Sequence, residues 1–593
     1  MPSPAEKLLS LRNAMKGKGI DIYILPMSDP HLGEYIAEHW QLIRWLTGFT
    51  GSAATVVITE SHAGLWTDSR YFIQAVRQLA GSGFELMRPG QYRRNDYMDF
   101  VAENAGAGDK IGIDGRIFPA SAFRRLEQRL EGKKVNFETD CDLISELWSD
   151  RPSLPFSVAF DHTLEYSGKG RAKKLAELRD GMKKAGAAYH LLSSPEDIMW
   201  LLNIRGNDLK YSPLLLCFAL VGQEQVLLFI DQAKIPPKLA SEFDRLGIVI
   251  LPYEEVTEII SVVAEGESVF LNPQVTSLEL FRALSTASGF IEDISIPCRL
   301  KSVKNRTEIA NIEKVMVKDG VALTRFFHWF ESKHGSIVMT EDSLSGKIDE
   351  FRAEQEGFLK PSFETIVAFN QNSAQPHYHA EKGSGAVIGD RGILLVDSGG
   401  QYPGGTTDIT RTIAVNIPSE QQISDFTLVL KGHINLALSK FPEGTRGYQL
   451  DLVARRAMWG SGMNYAHGTG HGIGYCLNVH EGPQSISPAD NKTDIAAGML
   501  TSNEPAIYRE GEYGIRTENI ILCYVDEETE FGRFLRFETM SLCYIDKSLI
   551  DKSLLEPHEI EWLNAYHAEV FVRLNPHLTE DEKEWLKEKT AVI

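Results

Sequence analysis

The spacing of apolar positions changes several times along the 593-residue chain, and the changes divide it. Leu8, Leu9, Leu11 and Met15 approximate one face of a short helix over 6–18. Ile20–Leu25 then alternates and is rich in β-branched residues, which predicts a strand. A helix end and turn at Arg44–Gly51 lead to two strands, 53–58 and 63–68, joined by a short hairpin. The same order returns 155–160 residues later. A Lys-rich helix over 168–186 and a strand at 188–192 are followed by Trp200–Gly206, which parallels Trp45–Gly51, and Val226–Asp231, which parallels Gly64–Asp68. We read this as an internal duplication of one α/β domain, with the Pro-rich link Asp150–Pro155 between the copies.

A third unit begins near Lys301. Asn305 with Glu308 has the form of a capping box. Ile309, Ile312, Met316, Leu323, Phe327 and Phe330 then recur at helical spacing, so a long helix with one buried face is expected. Leu344, Ile348 and Phe351 mark a second helix. After Lys360 the pattern becomes strand-like at 365–369, 392–397 and 409–415, helical at 421–439 and 448–459, and strand-like again over 493–525. A last strand, Phe534–Tyr544, precedes helices from Pro557 onward. The expected domains are 1–155, 156–300 and 301–593, the last being α+β on a largely antiparallel sheet, with a C-terminal extension from about residue 535.

Composition narrows the class. Hydrophobic residues at 43% and charged residues at 24% fit an ordinary globular protein. A net charge of −20 argues against nucleic acid or an anionic membrane as main partner, because phosphate binding needs excess Lys and Arg. No apolar run approaches the ~18–20 residues of a bilayer span; the longest, Pro213–Gly222, reads as a buried strand. The N-terminus has no basic region followed by an apolar core. Six cysteines, no two closer than twenty residues, form no CxxC motif. Such sparse use fits a reducing compartment, and a cytoplasmic location is expected. Cys476 lies near the motif described next and reads as packing.

Tyr465–Gly474 carries two histidines, His467 and His471, in a run with four glycines. Asp397 and Asp408 precede it; Glu504 and Glu518 follow it. Taken singly, an Asp or Glu is usually a surface charge, and His480 alone reads as structural. The glycine run lacks the Lys-Ser/Thr of a P-loop and the strand–helix setting of a dinucleotide site. Each carboxylate pair, however, has hairpin-like spacing with His471 between the pairs. Clustered carboxylates repel one another without a cation. Two divalent ions ~3.5–4 Å apart would neutralise them and share a water acidified to hydroxide. Oxygen donors with one imidazole suit Mn, Co or Zn, and no cysteine is placed for a thiolate site.

The succession Val-Asp397-Ser-Gly, Thr-Thr-Asp408-Ile-Thr-Arg-Thr, His467-Gly-Thr-Gly-His471-Gly-Ile-Gly, Asn-Glu504-Pro and Gly-Ile-Arg-Thr-Glu518-Asn resembles the pita-bread metallopeptidase family. Asn478–Pro483, His377-Tyr378, Trp66–Phe72 and Trp200–Asp208 extend the resemblance toward the three-domain aminopeptidase P branch. It implies two tandem creatinase-like N-terminal α/β domains before a pita-bread catalytic domain. It also implies a dinuclear site, with Mn2+ first and Co2+ or Zn2+ as alternatives. Asp397 would chelate one ion, Asp408 and Glu518 would bridge both, and His471 with Glu504 would complete the second. Glu504 would also move a proton. His377, His467 and His480 would contact substrate, and Arg516 would orient the ligands. One departure is His379, which places a second histidine where one is expected.

The implied reaction is removal of the residue before a proline from small peptides, with a metal-bound hydroxide attacking the carbonyl that precedes the proline. A homodimer is expected. Prolidase-type cleavage of Xaa-Pro dipeptides is the first alternative, disfavoured by the duplicated N-terminal domains. A non-catalytic peptide-binding relative is the second, disfavoured because clustered carboxylates without metal are costly.

Overall fold

The computed structural model describes residues 2–89, 96–380 and 382–593. The chain divides into two compact units: Met1–Asp161 with Lys169–Pro297, and His162–Gly168 with Cys298–Ile593. Among the described residues, no helix is long and apolar enough to cross a membrane.

The first unit contains one topology twice. Strands β1 (Ile22–Pro26), β2 (Thr55–Ile58), β3 (Ala63–Trp66), β4 (Glu85–Met87), β5 (Lys110–Ile113) and β6 (Asn136–Glu138) form a sheet of order β4-β3-β2-β1-β5-β6. Strands β7 (Tyr189–Leu192), β8 (Phe218–Val221), β9 (Val226–Phe229), β10 (Ile248–Leu251), β11 (Ser268–Leu271) and β12 (Gly289–Glu292) form a second, of order β10-β9-β8-β7-β11-β12. In both sheets the three early strands pair antiparallel and the outer ones parallel. Each sheet has its own apolar core, around Ile24, Ile111 and Phe118 in one and Leu220, Phe229 and Leu271 in the other. The apolar stretch Pro213–Gly222 is strand only from Phe218. Before that, the buried Asp208 carboxylate takes the Leu216 N–H at 2.8 Å, which diverts the backbone from a ladder.

In the second unit, helix α1 (Arg306–Lys333) starts at the expected cap. Asn305 accepts from Thr307 N and Glu308 N, and Glu308 accepts from Asn305 N. Its apolar face, including Ile312, Met316, Phe327 and Phe330, enters the core. Helix α2 (Glu341–Ala353) packs beside it. The sheet elements are β13 (Ile366–Phe369), β14 (Gly392–Ser398) and β15 (Ile409–Val415), in the order β13-β14-β15, all antiparallel. Helix α3 (Glu420–Ala437), strand β16 (Lys440–Pro442) and helix α4 (Gly447–Gly460) follow. The larger antiparallel sheet uses β17 (Gly470–Gly472), β18 (Glu481–Ile486), β19 (Leu500–Asn503), β22 (Asn519–Thr529) and β23 (Gly532–Thr539), in the order β16-β23-β22-β19-β17-β18. Between β19 and β22 the chain makes the hairpin β20 (Ala506–Arg509)–β21 (Tyr513–Arg516). Helices α5 (Pro557–Leu574) and α6 (Glu580–Lys589) end the chain.

Two local expectations change. The last strand ends at Thr539 instead of Tyr544. The carbonyls of Cys543 and Tyr544 accept from the Arg411 guanidinium, so side chains replace the ladder there. Glycines in the central motif could serve to let the backbone pass close to metals and substrate, but two of them have a packing reason. A Cβ at Gly470 would instead lie 1.9 Å from the Ser502 carbonyl oxygen, and one at Gly472 2.1 Å from that of Glu481. Gly470 and Gly472 let three strands approach one another.

Between α1 and α2 lies a fully buried ion pair. Arg352 Nε donates to Asp319 Oδ1 at 2.8 Å and Nη2 to Oδ2 at 3.1 Å. Arg352→Ala leaves Asp319 buried without its cation and should cost about 3–5 kcal/mol. The double substitution Arg352→Met with Asp319→Leu should recover most of that. Denaturant midpoints of the two variants check this; equal losses would refute it.

Candidate metal centre

The central motif is held from behind by one turn of α4. Asp451 and Arg455 are buried and paired, Nε to Oδ2, at 2.7 Å. Asp451 Oδ1 accepts from Thr469 Oγ1 at 2.6 Å, while Arg455 donates to the carbonyls of Tyr465 at 2.7 Å and His467 at 2.6 Å. An Asp–Arg pair at i,i+4 normally reads as a solvated helix face. Here its partners are main-chain groups of the motif, so it sets the path of the residues that carry both histidines.

Four carboxylates and an imidazole converge beyond that point. Asp397 is near the end of β14, opposite Thr410 on β15, and Asp408 immediately precedes β15. Asn503 pairs with Asn519 at the end of the β19–β22 ladder, so Glu504 and Glu518 leave it side by side. The Glu504 N–H is held by the Thr469 carbonyl at 2.8 Å, and the Glu518 N–H by that of Thr410 at 3.1 Å. Oxygens of Asp397, Asp408 and Glu518 come within 4.8 Å of one another, as do donor atoms of His471, Glu504 and Glu518. Asp408, His471 and His480 form a third such group. His471 Nε2 is 3.4 Å from Glu504 Oε1 and 3.5 Å from Asp408 Oδ2, and its ring meets that of His480 edge-on at 4.2 Å.

The electrostatics of this cluster call for cations. Burial, then the charge of Glu518, pushes Asp408 well above the usual carboxylate range; burial, then Glu504, does the same to Glu518. Burial also raises Glu504, to about 7. One cation touches the set directly. Arg516 Nη2 meets Asp397 Oδ2 at 2.5 Å. The other oxygen, Asp397 Oδ1, is buried and has no hydrogen-bond donor among the described residues. Hard, clustered oxygens, an unclaimed buried carboxylate oxygen and a single imidazole beside them fit divalent metal ions.

Of the other expected site residues, Arg516 and His467 join the cluster through a residue the sequence analysis did not single out. Tyr508 Oη receives Arg516 Nη1 at 2.6 Å and lies 3.0 Å from His467 Nε2. Tyr508 sits on β20 opposite Gly514, so the same hairpin supplies both Tyr508 and Arg516. His377 follows Pro376, whose carbonyl is 3.5 Å from Arg516 Nη2. Neither His377 nor His467 enters the metal-competent groups. His379 is exposed, whereas His377 is half-buried. The loop bearing both is anchored by another unforeseen residue, Glu341 at the start of α2. Its buried carboxylate accepts from Phe369 N, Ala386 N, Asn372 Nδ2 and the Tyr378 hydroxyl. A Glu in the first turn of a helix looks like an ordinary macrodipole residue, so only the folded loop exposes its second use.

The raised carboxylates give a signed pH dependence for chelated protein. Between about 4.5 and about 7, Glu504 holds a proton in the fold but releases it on unfolding. The native state then binds more protons, so stability falls as pH rises. The melting temperature of chelated protein should decline across that window, and Glu504→Gln should flatten the decline. Identical slopes for both proteins would rule out the assignment.

Comparison with known proteins agrees with this arrangement. Residues 310–524 match Metallopeptidase family M24. Residues 7–144 and 150–308 each match the Creatinase/Prolidase N-terminal domain, and 533–593 match the C-terminal region of peptidase M24. Aminopeptidase P2 of Arabidopsis thaliana is 36% identical over 629 aligned positions, covering 99% of this chain and 88% of its own. Xaa-Pro aminopeptidase 1 of Dictyostelium discoideum is 36% identical, covering 98% and 96%. The crystal structure of X-prolyl aminopeptidase from Caenorhabditis elegans, described as a cytosolic enzyme with a di-nuclear active site, superposes with a TM-score of 0.96 at 34% identity over 100% of both chains. The chain belongs to metallopeptidase family M24, in its aminopeptidase P branch.

Proposed function

We propose that this protein is a metal-dependent aminopeptidase that hydrolyses the bond between an N-terminal residue and a following proline. The observation that carries the reading is the meeting of Asp397, Asp408, His471, Glu504 and Glu518 in a chain that matches aminopeptidases P along its length. Two divalent ions would be held there, Asp397 serving the first, His471 with Glu504 the second, and Asp408 and Glu518 serving both. When bound, the ions supply Lewis acidity to the carbonyl before the proline and acidify the attacking water.

The chain's own residues do the rest. Glu504 takes a proton from the water and returns it to the departing proline nitrogen. His377, His467 and His480 position the peptide, and His377 and His480 donate hydrogen bonds to the oxygen that gains charge, where preorganised donors count most. His467 is steadied for this by Tyr508. Arg516 keeps Asp397 turned into the cluster. Mn2+ is the assigned metal, with Co2+ and Zn2+ as the alternatives that the same oxygen-rich donor set accepts. All six cysteines are free thiols, which supports a reducing, cytoplasmic setting.

We also assign a homodimer. Tyr448, Leu452 and Trp459, at offsets of 0, +4 and +11 on α4, share one face and remain 42%, 51% and 50% exposed, an apolar stripe that a second copy would cover.

Two measurements test these readings. Chelated protein given Mn2+ one equivalent at a time should release Arg from Arg-Pro-Pro and leave Arg-Ala-Pro intact, and Asp408→Ala should not be restored by metal. Equal cleavage of both peptides would sink the proline assignment; activity confined to dipeptides would make the enzyme a prolidase. In sedimentation velocity the wild type should run as a dimer and Trp459→Glu as a monomer. A monomeric wild type, or an unchanged variant, would remove the dimer assignment.

A further inference from the structure

The C-terminal extension contributes no residue to the carboxylate cluster, yet one of its side chains reaches the backbone that carries two of the carboxylates. We infer that α5 is a positioning element of the metal centre, acting through the Tyr566 hydroxyl. The inference rests on the reading above that Glu504 and Glu518 hold metal.

The path is short and buried throughout. Tyr566 Oη accepts from Arg411 Nη2 at 2.8 Å and lies 3.3 Å from Asn519 Oδ1. The carbonyls of Cys543 at 2.9 Å and Ser541 at 3.0 Å are also within its donating reach. Arg411 spends its remaining donors on the same region. Nη1 holds the carbonyls of Glu518 at 2.6 Å and Thr410 at 2.9 Å, and Nη2 also holds Asn519 Oδ1 at 2.8 Å. Thr410 in turn donates its hydroxyl to Glu518 Oε2 at 2.7 Å. The Glu518 peptide and carboxylate are thus gripped by groups that Tyr566 and Arg411 lock together.

The second carboxylate is reached through His433 of α3. Its Nδ1 donates to the Asn503 carbonyl at 3.0 Å, which leaves Nε2 to accept from Asn519 Nδ2 at 3.0 Å. Asn503 Nδ2 returns a bond to the His433 carbonyl at 2.9 Å. Asn503 precedes Glu504 and Asn519 follows Glu518, so one imidazole spans the two strand ends from which these carboxylates leave. Trp562, one turn before Tyr566 on α5, stacks on the Tyr566 ring at 5.2 Å and meets the His433 ring edge-on at 5.8 Å. Helix α5 therefore braces both Arg411 and His433. His433, Arg411, Asn503 and Asn519 are all at most 2% exposed.

Simple packing would explain the two aromatic rings, but it does not need a hydroxyl at the centre of five polar groups, the Cys543 N–H at 3.3 Å being the fifth. Outer partners of metal ligands typically influence affinity by about 10–100-fold. The test is Mn2+ titration of chelated full-length protein by calorimetry, with bound metal counted by mass spectrometry. Tyr566→Phe keeps the ring and removes the hydroxyl; it should bind Mn2+ at least about 10-fold more weakly, and saturating Mn2+ should restore kcat with KM unchanged. Tyr544→Phe is the control. Its hydroxyl is equally buried but has no hydrogen-bond partner among the described residues, so its Mn2+ affinity should match wild type. If Tyr566→Phe does not fold, His433→Leu decides by the same weakening. Wild-type affinity in the folded Tyr566→Phe, or an equal loss in Tyr544→Phe, would overturn the proposal. Fewer than two Mn2+ on the wild type would overturn the underlying metal reading, and this proposal with it.

Discussion

Four carboxylates buried within reach of one another are the constraint on which the catalytic unit depends. Like charges in a poorly solvated place raise one another's energy, and Arg516 alone cannot balance four of them. The backbone therefore has to hold the oxygens in place against their own repulsion. It does so by anchoring peptides instead of side chains: Glu504 through Thr469, Glu518 through Thr410 and Arg411. Divalent cations relieve the repulsion and make the same geometry useful for attack on a carbonyl.

Holding the peptides requires a rigid surround, and much of the unit serves that end. Asp451 and Arg455 tie the histidine motif to α4, Asp425 ties the β20–β21 hairpin to α3 through Arg509 and Tyr513, and Glu341 ties the His377 loop to α2. Each of these is a buried charge compensated by several hydrogen bonds. Such groups are costly if left unpaired, so each specifies one local arrangement. Arg411 is the extreme case. Its guanidinium is satisfied by carbonyls, an amide and a phenol drawn from four separate stretches of chain, and it joins the expected strand β15 to the C-terminal helices.

Periodicity was a good guide wherever one face of an element is buried. The cap at Asn305, the stripe of α1 and the strands that end near Asp397 and begin after Asp408 follow from side-chain spacing alone. It was a poor guide where side chains displace main-chain partners. Phe534–Tyr544 has a strand's composition, but its last carbonyls are claimed by Arg411 and Tyr566. The apolar run before Phe218 has a strand's composition too, and Asp208 claims its backbone.

By itself the sequence determined the order of elements, the repeat of the N-terminal topology and the candidate carboxylates and imidazole that the fold brings together. These depend on local periodicity and on residue types whose chemistry is intrinsic. The tertiary structure decided which polar residues act together. Tyr508, Glu341, Asp451, Arg455, His433 and Tyr566 look like surface or packing residues in the chain, because the hydrogen-bond partners that give them these roles lie 8 to 155 positions away, outside any helical or strand period. The glycines of the central motif show the same division. Their number was visible in the chain, but the reason for Gly470 and Gly472, three strands passing too close for a Cβ, exists only once the strands are side by side.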